Sequence, residues 1–599
     1  MRWALDRAAS LLVLIAMVAG SATARGGPAG DYLIRGARIF DGERLLNDSD
    51  VLIRDGVILQ VGEVRDVGGA TVIDAAGMTL LPGLIDSHVH IISVEMLRQA
   101  AAFGVTTELD MFMHVQLARE LRQREDFTRA DFRTAGTLAT APRGHGTQFG
   151  LPITTITSPD EAAEFVKARL NEGSDYIKLV YDDGRGFGLN FATHSRETLA
   201  ALISATHDHG KLAVVHVSDQ PAARDAIELG ADGLVHIFGD APADEGFVEL
   251  IKSRSAFVIP TLSVIERLGG GSDQFAADAH LAPLLTDADA ANLKSSFALP
   301  GAKVSVGHAK ASVRSLQEAG VRILAGTDAP NPGTVHGASL HRELELLVEC
   351  GLTPPEALAA ATATPAKAFG LSDRGRIAKG MRADLLLVEG DPTTDITATR
   401  AIRRVWIAGR LLDHDAYRHK VQAINLAARQ LREPGRMIIS DFEGNEIAAS
   451  FGLGWAISTD ELQRGKSTAQ MKLIDDGADG SRRSLHVTGR INPPLPWAWA
   501  GVMFSPGTAP MTPVDLSGKK RLTSWAKGDG RPARVLLFAR SFGYMPASQP
   551  FTPTAEWKHF SFAVSDFRDS DGKDIMGILF TGGPAIGPFE FQIDQVSLE

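Results

Sequence analysis

Eight short apolar runs, each followed by a helical stretch, recur between residues 84 and 370, and this alternation restricts the fold more than any other feature of the chain. The runs are 84–86, 105–109, 132–138, 176–179, 212–216, 234–236, 257–259 and 322–325. A strand that returns through a helix pairs in parallel with the next one, so eight such units predict an α/β fold, a closed (β/α)8 TIM barrel over 84–370. Short alternating runs around Asp41-Gly42 and Asp55-Gly56, and again at 383–388 and 405–409, predict a small β-sandwich built from both flanks, 31–83 and 371–413. A helical linker over 414–436 breaks at Glu433-Pro434-Gly435. Beyond it, short strands between Gly, Pro and Asp turns predict an all-β jelly roll over 437–599.

Composition narrows the function. Of 599 residues, 44% are hydrophobic and 22% charged, which excludes a disordered chain and a multi-span membrane protein. The net charge of -11, with no long basic run, excludes a nucleic-acid partner and leaves small molecules as the expected substrates. One cysteine, Cys350, allows neither an internal disulfide nor a thiolate metal site, so any metal must be held by histidines and carboxylates. Residues 1–24 have the make-up of a secretory leader: Arg2 and Arg7, an apolar run over 8–20, and Ala22-Thr23-Ala24 as cleavage site. That run is shorter than the roughly 18 to 20 residues needed to span a bilayer, and no cysteine follows the cleavage site. The mature protein is therefore expected in a periplasm or outside the cell, without a stable membrane anchor.

His88-Val89-His90 closes the first run and sends two imidazoles from one face of an extended chain. With 17 histidines in the chain, one such pair arises readily by chance, and a single buried His216 or His236 is ordinarily a satisfied core residue. Position changes this, because Lys178, His216, His236 and Asp328 all fall at carboxyl ends of expected strands, the rim on which a barrel builds its site.

These residues also carry a resemblance. His88 and His90 after Leu81-Pro82-Gly83-Leu84-Ile85-Asp86-Ser87, then Tyr176-Ile177-Lys178, His216, Val235-His236 and Ala325-Gly326-Thr327-Asp328-Ala329, resemble the amidohydrolase superfamily in order, from Asp31 to Asp413. The branch they look most like is that of the metal-dependent dipeptidases and imidazolonepropionases. The resemblance implies two divalent ions, with carbon dioxide added to Lys178 as a bridging carbamate. His88, His90 and Asp328 would hold the buried ion, and His216 and His236 the outer one. Only a neutral amine can add carbon dioxide, and the carbamate turns an otherwise repelled lysine into an extra carboxylate. Two divalent cations against the carbamate, Asp328 and a bridging hydroxide leave a net charge of about +1 to polarise a substrate carbonyl. Asp328 is placed to take the proton of the nucleophile and deliver it to the leaving amine. Zinc is the favoured metal for such ligands, with cobalt, manganese or iron as alternatives.

Gly144-His145-Gly146 resembles a motif of the dipeptidase-like branch whose histidine contacts the substrate carbonyl, with an ordinary loop carrying one exposed histidine as the plain alternative. Tyr181 and Arg185 are candidates for a substrate carboxylate, with solvated loop residues as the plain alternative. The chain departs from its relatives at Val217-Ser218-Asp219, after His216, and in the acidic stretch 180–185 after Lys178. In the last 160 residues, Asp441-Phe442-Glu443, Gly454-Trp455, Trp557 and the closing stretch 591–598 resemble galactose-binding-like jelly rolls of the complex I intermediate-associated type. Asp441, Glu443 and Asp594 are candidate ligands for a structural Ca²⁺, and Trp497 and Trp499 around Pro496 form either a sugar platform or core.

The expected function is an exported binuclear amidohydrolase cleaving dipeptides or N-acyl amino acids. Cyclic amides, lactones or esters are the alternative substrates, and an inert barrel carrying a glycan-binding jelly roll is the alternative of another class. The sequence leaves the oligomeric state open.

Overall fold

In the computed structural model, which describes residues 30–599 except 124, 148–152, 269–273, 298–303, 461–464, 494, 496, 508–510 and 544, all eight apolar runs become strands. The leader expected over 1–24, and Pro496, lie outside the described residues. The strands are Leu84–Val89, Val105–Asp110, Asp131–Thr134, Ile177–Val180, Ala213–His216, Gly233–Val235, Phe257–Ile259 and Arg322–Ile323. They pair in parallel, the first three in one sheet and the last five in another. Parallel bridges at Ala139–Leu179 and Val89–Ala329 link the two runs at both ends. Two strands are shorter than expected by two or more residues. The third stops at Thr134 because Gly136 turns left-handed, and in the eighth the Ala325 amide bonds to the Ala360 carbonyl instead of to a neighbouring strand. The helical stretch 354–369 is two helices, Pro354–Ala360 and Ala363–Ala368, whose junction offers the Ala361 carbonyl to the amide of Ile85.

Strand alternation divides the apolar side chains between two cores. Leu84, Val105, Ile177, Val215, Leu234, Val258 and Ile323 pack with helix residues such as Leu97, Val166, Leu199 and Ile251. Ile85, Leu109, Val214, Val235, Phe257 and Leu324 form a separate cluster on the opposite strand face. Helices enter this layer through side-chain caps: Ser195, Asp219 and Asp244 each accept an amide in the first turn, and Thr353 with Glu356 forms a capping box.

Both flanks meet in one sheet. Met78–Pro82 pairs antiparallel with Leu385–Glu389, giving eight continuously bonded strands where two facing sheets would make a sandwich. Its alternation is again clean, with Leu385, Leu387 and Trp406 joining Ile34, Val51 and Ile58 in a core of their own, while Leu386, Val388 and Val405 face the helix-side core. The Asp55-Gly56 pair, at φ 51° and 81°, makes the tight turn expected between Arg54 and Val57.

Arg374 locks this sheet to the second and third parallel strands. Its guanidinium is buried and donates to Thr107 Oγ1 at 3.1 Å and to Asp131 Oδ2 at 2.7 Å, an oxygen that also meets Arg133 and Arg382. Burial works to raise the Asp131 pKa, but Arg374 and its two companions hold it well below the ordinary carboxylate range. Asp131→Ala removes one of the two carboxylates that the buried Arg374 guanidinium pairs with, the other being Asp373, and is expected to cost about 2 kcal/mol, read as a lower urea midpoint. Because the Asp131 pKa is depressed on folding, its contribution is complete above the unfolded carboxylate value of about 4 and is lost as pH falls below it. The gap between the two proteins should therefore narrow in acid.

A helix spans His414–Arg432, and the described residues divide near 422 into two compact units. The second is all-β, with antiparallel sheets of six and five strands around a core that includes Trp455, Phe504, Phe580 and Phe591. Trp499 is half-buried against Met503, Leu536 and Leu579, whereas Trp497 is exposed. Among the described residues no helix is long and apolar enough to cross a membrane.

Candidate active site

The carboxyl ends of the parallel strands bring the six expected ligands together. His88 and His90 leave the first strand with ring centroids 5.4 Å apart. Asp328, after the eighth strand, sets Oδ1 3.0 Å from His90 Nε2 and 3.4 Å from His88 Nε2. These two strands are bound to each other by Asp86, fully buried, which accepts the amides of His88 and Thr327 and the Thr327 hydroxyl. A Cβ on Gly326 would lie 2.5 Å from Ile259 Cγ2 and 2.9 Å from the His88 nitrogen, so only glycine lets the strands approach this closely.

Lys178 falls between Ile177 and Leu179, which face the helices, so alternation turns its amine to the other strand face. Val214 sets the same direction for His216. His236 breaks the rule: with Val235 in the inner cluster, its side chain would point to the helices. Its φ of 79° reverses it, and the ring lies 4.7 Å from that of His88 and 4.6 Å from that of His216. Asp328 also has positive φ, 59°. Left-handed backbone at two non-glycine positions is costly, and here it aims both side chains at the cluster.

The electrostatics suit cation ligation. Burial, and then the Lys178 amine, push the His88 pKa well below its ordinary value, and burial followed by His216 does the same to His236. Both rings are thus neutral with lone pairs available at neutral pH. Both ring nitrogens of His88 are buried without a hydrogen-bond partner, an arrangement costing about 1–3 kcal/mol per group that a bound cation would offset. Burial also lowers the Lys178 pKa to about 7, so a large share of its amine is uncharged under physiological conditions. Ligand atoms of His88, His236 and Asp328 lie within 4.8 Å of one another, and so do those of His145, Asp182 and His216. Nitrogen and oxygen donors without a thiolate fit zinc or a similar divalent ion. His145 stacks on His216 at 4.6 Å, and burial, then His216, lower its pKa to about 3.

The sequence profile of the amidohydrolase family matches residues 79–412, which hold every one of these groups. The chain belongs to the amidohydrolase family. It is a hydrolase acting on carbon–nitrogen bonds. Similar amidohydrolases include the imidazolonepropionases of Deinococcus deserti, 28% identical over 63% of this chain and 94% of the relative, and of Deinococcus radiodurans, 29% identical over 65% and 97%. Among solved structures, a putative prolidase from Bifidobacterium longum aligns at 26% identity and a TM-score of 0.52, covering 66% of this chain and 99% of its own. A Xaa-Pro dipeptidase with bound methionine shares the fold at a TM-score of 0.53 and 23% identity, covering 64% and 100%.

Other expected residues of this amidohydrolase are engaged elsewhere. The Tyr181 hydroxyl donates to Asp225 Oδ2 at 3.0 Å, and Arg185, largely exposed, pairs with Asp183. The expected calcium triad is not assembled. Asp594 accepts the amides of Ala478 and Gln595, Glu443 accepts those of Arg482 and Arg483, and among the described residues these carboxylates do not converge into a three-ligand group. Sequence reasoning gave no role to Asp86, Asp182, Ser218 or Thr261. Asp86 shares the every-second-residue spacing of His88 and His90, a signal for its role. Thr261, whose hydroxyl lies 2.7 Å from His236 Nδ1, has no such signature.

Proposed function

We propose that this amidohydrolase is an exported, binuclear metal-dependent enzyme that cleaves dipeptides or N-acyl amino acids. The observation that carries the reading is the convergence of four histidines and Asp328 around a buried lysine whose pKa burial lowers to about 7. His88, His90 and Asp328 would hold one ion, His216 and His236 the other, with Lys178 as a carbamate between them. When bound, such ions polarise a carbonyl and make water nucleophilic near neutral pH. Neutral His145 donates an N–H to the substrate carbonyl oxygen. Asp328 takes a proton at a carboxylate oxygen and returns it to the leaving amine.

The wider architecture belongs to the same proposal: a closed (β/α)8 barrel, supported by the bridges at Ala139–Leu179 and Val89–Ala329, and a galactose-binding-like accessory unit with a glycan ligand. The second reading, a cyclic-amide hydrolase, is favoured by the imidazolonepropionase relatives.

The test uses protein recovered from the periplasmic fraction, loaded with Zn²⁺ and bicarbonate and offered pooled dipeptides, N-acyl amino acids, cyclic amides and glycans. Amine release confined to a few linear pools is the expected result. Ring opening alone would select the second reading. A cytoplasmic protein still carrying residues 1–24 would refute export, and a metal-free protein that only binds glycan would replace the enzyme with a scaffold.

A further inference from the structure

The acidic stretch 180–185 after Lys178 and the stretch 217–219 after His216 meet at one side chain. Asp182 is buried, and its Oδ2 lies 3.1 Å from His216 Nε2. Its Oδ1 accepts the Ser218 hydroxyl at 2.5 Å and the Gly184 amide at 2.8 Å. Resting on the binuclear reading above, we propose that Asp182, braced by Ser218 and Gly184, is the positioning residue that fixes His216 as an Nδ1 ligand of the outer ion.

Donors and acceptors at Asp182 fix the tautomer of His216. An ionised carboxylate only accepts, so the His216 proton must sit on Nε2, which leaves the Nδ1 lone pair for a cation. Three donors converge on the two oxygens of Asp182, so the carboxylate is oriented before any ion arrives. The His145 ring, stacked at 24° to that of His216, opposes rotation out of this pose. A ligand histidine held through its second nitrogen by a carboxylate is ordinarily worth 10- to 100-fold in metal affinity, by about that measure of partner loss in other metal sites.

Asp182→Asn tests this with almost no change in shape. The Gly184 amide keeps the side-chain oxygen on its own side, so the new NH₂ faces His216 Nε2. That reverses the tautomer and puts a proton on Nδ1, where the ion should bind. Wild type and variant are loaded with Zn²⁺ and bicarbonate, titrated with a chelator, and their ion content is counted by mass spectrometry. The expected result is two ions per wild-type chain, and in the variant an affinity about 10- to 100-fold weaker for one ion and unchanged for the other. Circular dichroism of the metal-free proteins should coincide. Ser218→Ala removes a brace but keeps the acceptor, so it should retain the second ion within about tenfold of wild type. An Asp182→Asn protein holding both ions as tightly as wild type overturns the assignment, as would equal losses in the two variants, which would mean loop collapse. Fewer than two ions in the wild type would overturn the binuclear reading itself, a failure visible before any substitution is made.

Discussion

Asp328→Asn is expected to lower turnover by about 10³-fold while leaving the fold intact. Burial alone would raise the Asp328 pKa, but the hydrogen bond with His90 and the neighbouring His236 and Lys178 bring it below the ordinary carboxylate value, so the group is ionised and ready to accept a proton. An amide of the same shape can neither take that proton nor return it. Asparagine is also the best replacement for the backbone, because at φ 59° most side chains are strained and Asn tolerates this region. Alanine would mix strain with lost chemistry. The measurement is kcat on the linear substrate identified above, alongside thermal melts of the metal-free proteins. A variant turning over within about tenfold of wild type would remove Asp328 from proton transfer and leave it a ligand at most.

The strand layout was legible because most of the parallel strands are buried along their length and divide apolar side chains between two cores, a pattern written in apolar residues. Boundaries were harder, since they depend on where a hydrogen bond goes. Nothing in the sequence around Ala325 shows that its amide will find Ala360. The flanking strands were legible from their alternation and Asp-Gly turns, and their union in one β unit was expected, but their bonding as a single sheet was not. The pairing of Leu386 with Leu81 links positions some 300 residues apart, and local pattern carries no partner information over that distance.

The ligands themselves were legible because few residue types hold a metal and strand ends are few. Their supports were not. His236 would have been assigned to the helix side by alternation alone, and only its positive φ turns it inward. Asp182 and Ser218 stood out in sequence as departures, but their contact is a property of two loops brought together by adjacent parallel strands. The calcium triad failed for the opposite reason. Carboxylates near one another in a β unit are satisfied by backbone amides, as those of Asp594 and Glu443 are, and composition cannot tell an acceptor already filled from one awaiting a cation.

Lys178→Met is expected to abolish the second ion and reduce turnover by about 10³-fold, at least what losing one transition-state-stabilising group costs elsewhere. Methionine occupies nearly the same volume, so the packing between Ile177 and Leu179 survives and the loss reports chemistry. Burial brings the pKa of the amine down to about 7 against the opposing pull of the Asp328 and Asp110 carboxylates. Such an amine has little structural value. The metal-free variant should melt at or above the wild-type temperature, because a buried polar group is replaced by an apolar one. Carbon dioxide supplies the second arm of the test. Wild type stripped of metal and reloaded in degassed buffer should take up the second ion poorly, and bicarbonate should restore it. The methionine variant should not respond to bicarbonate at all. If it kept both ions and its turnover, Lys178 would be an ordinary buried lysine, and the histidines and Asp328 would have to hold the metal without a bridge.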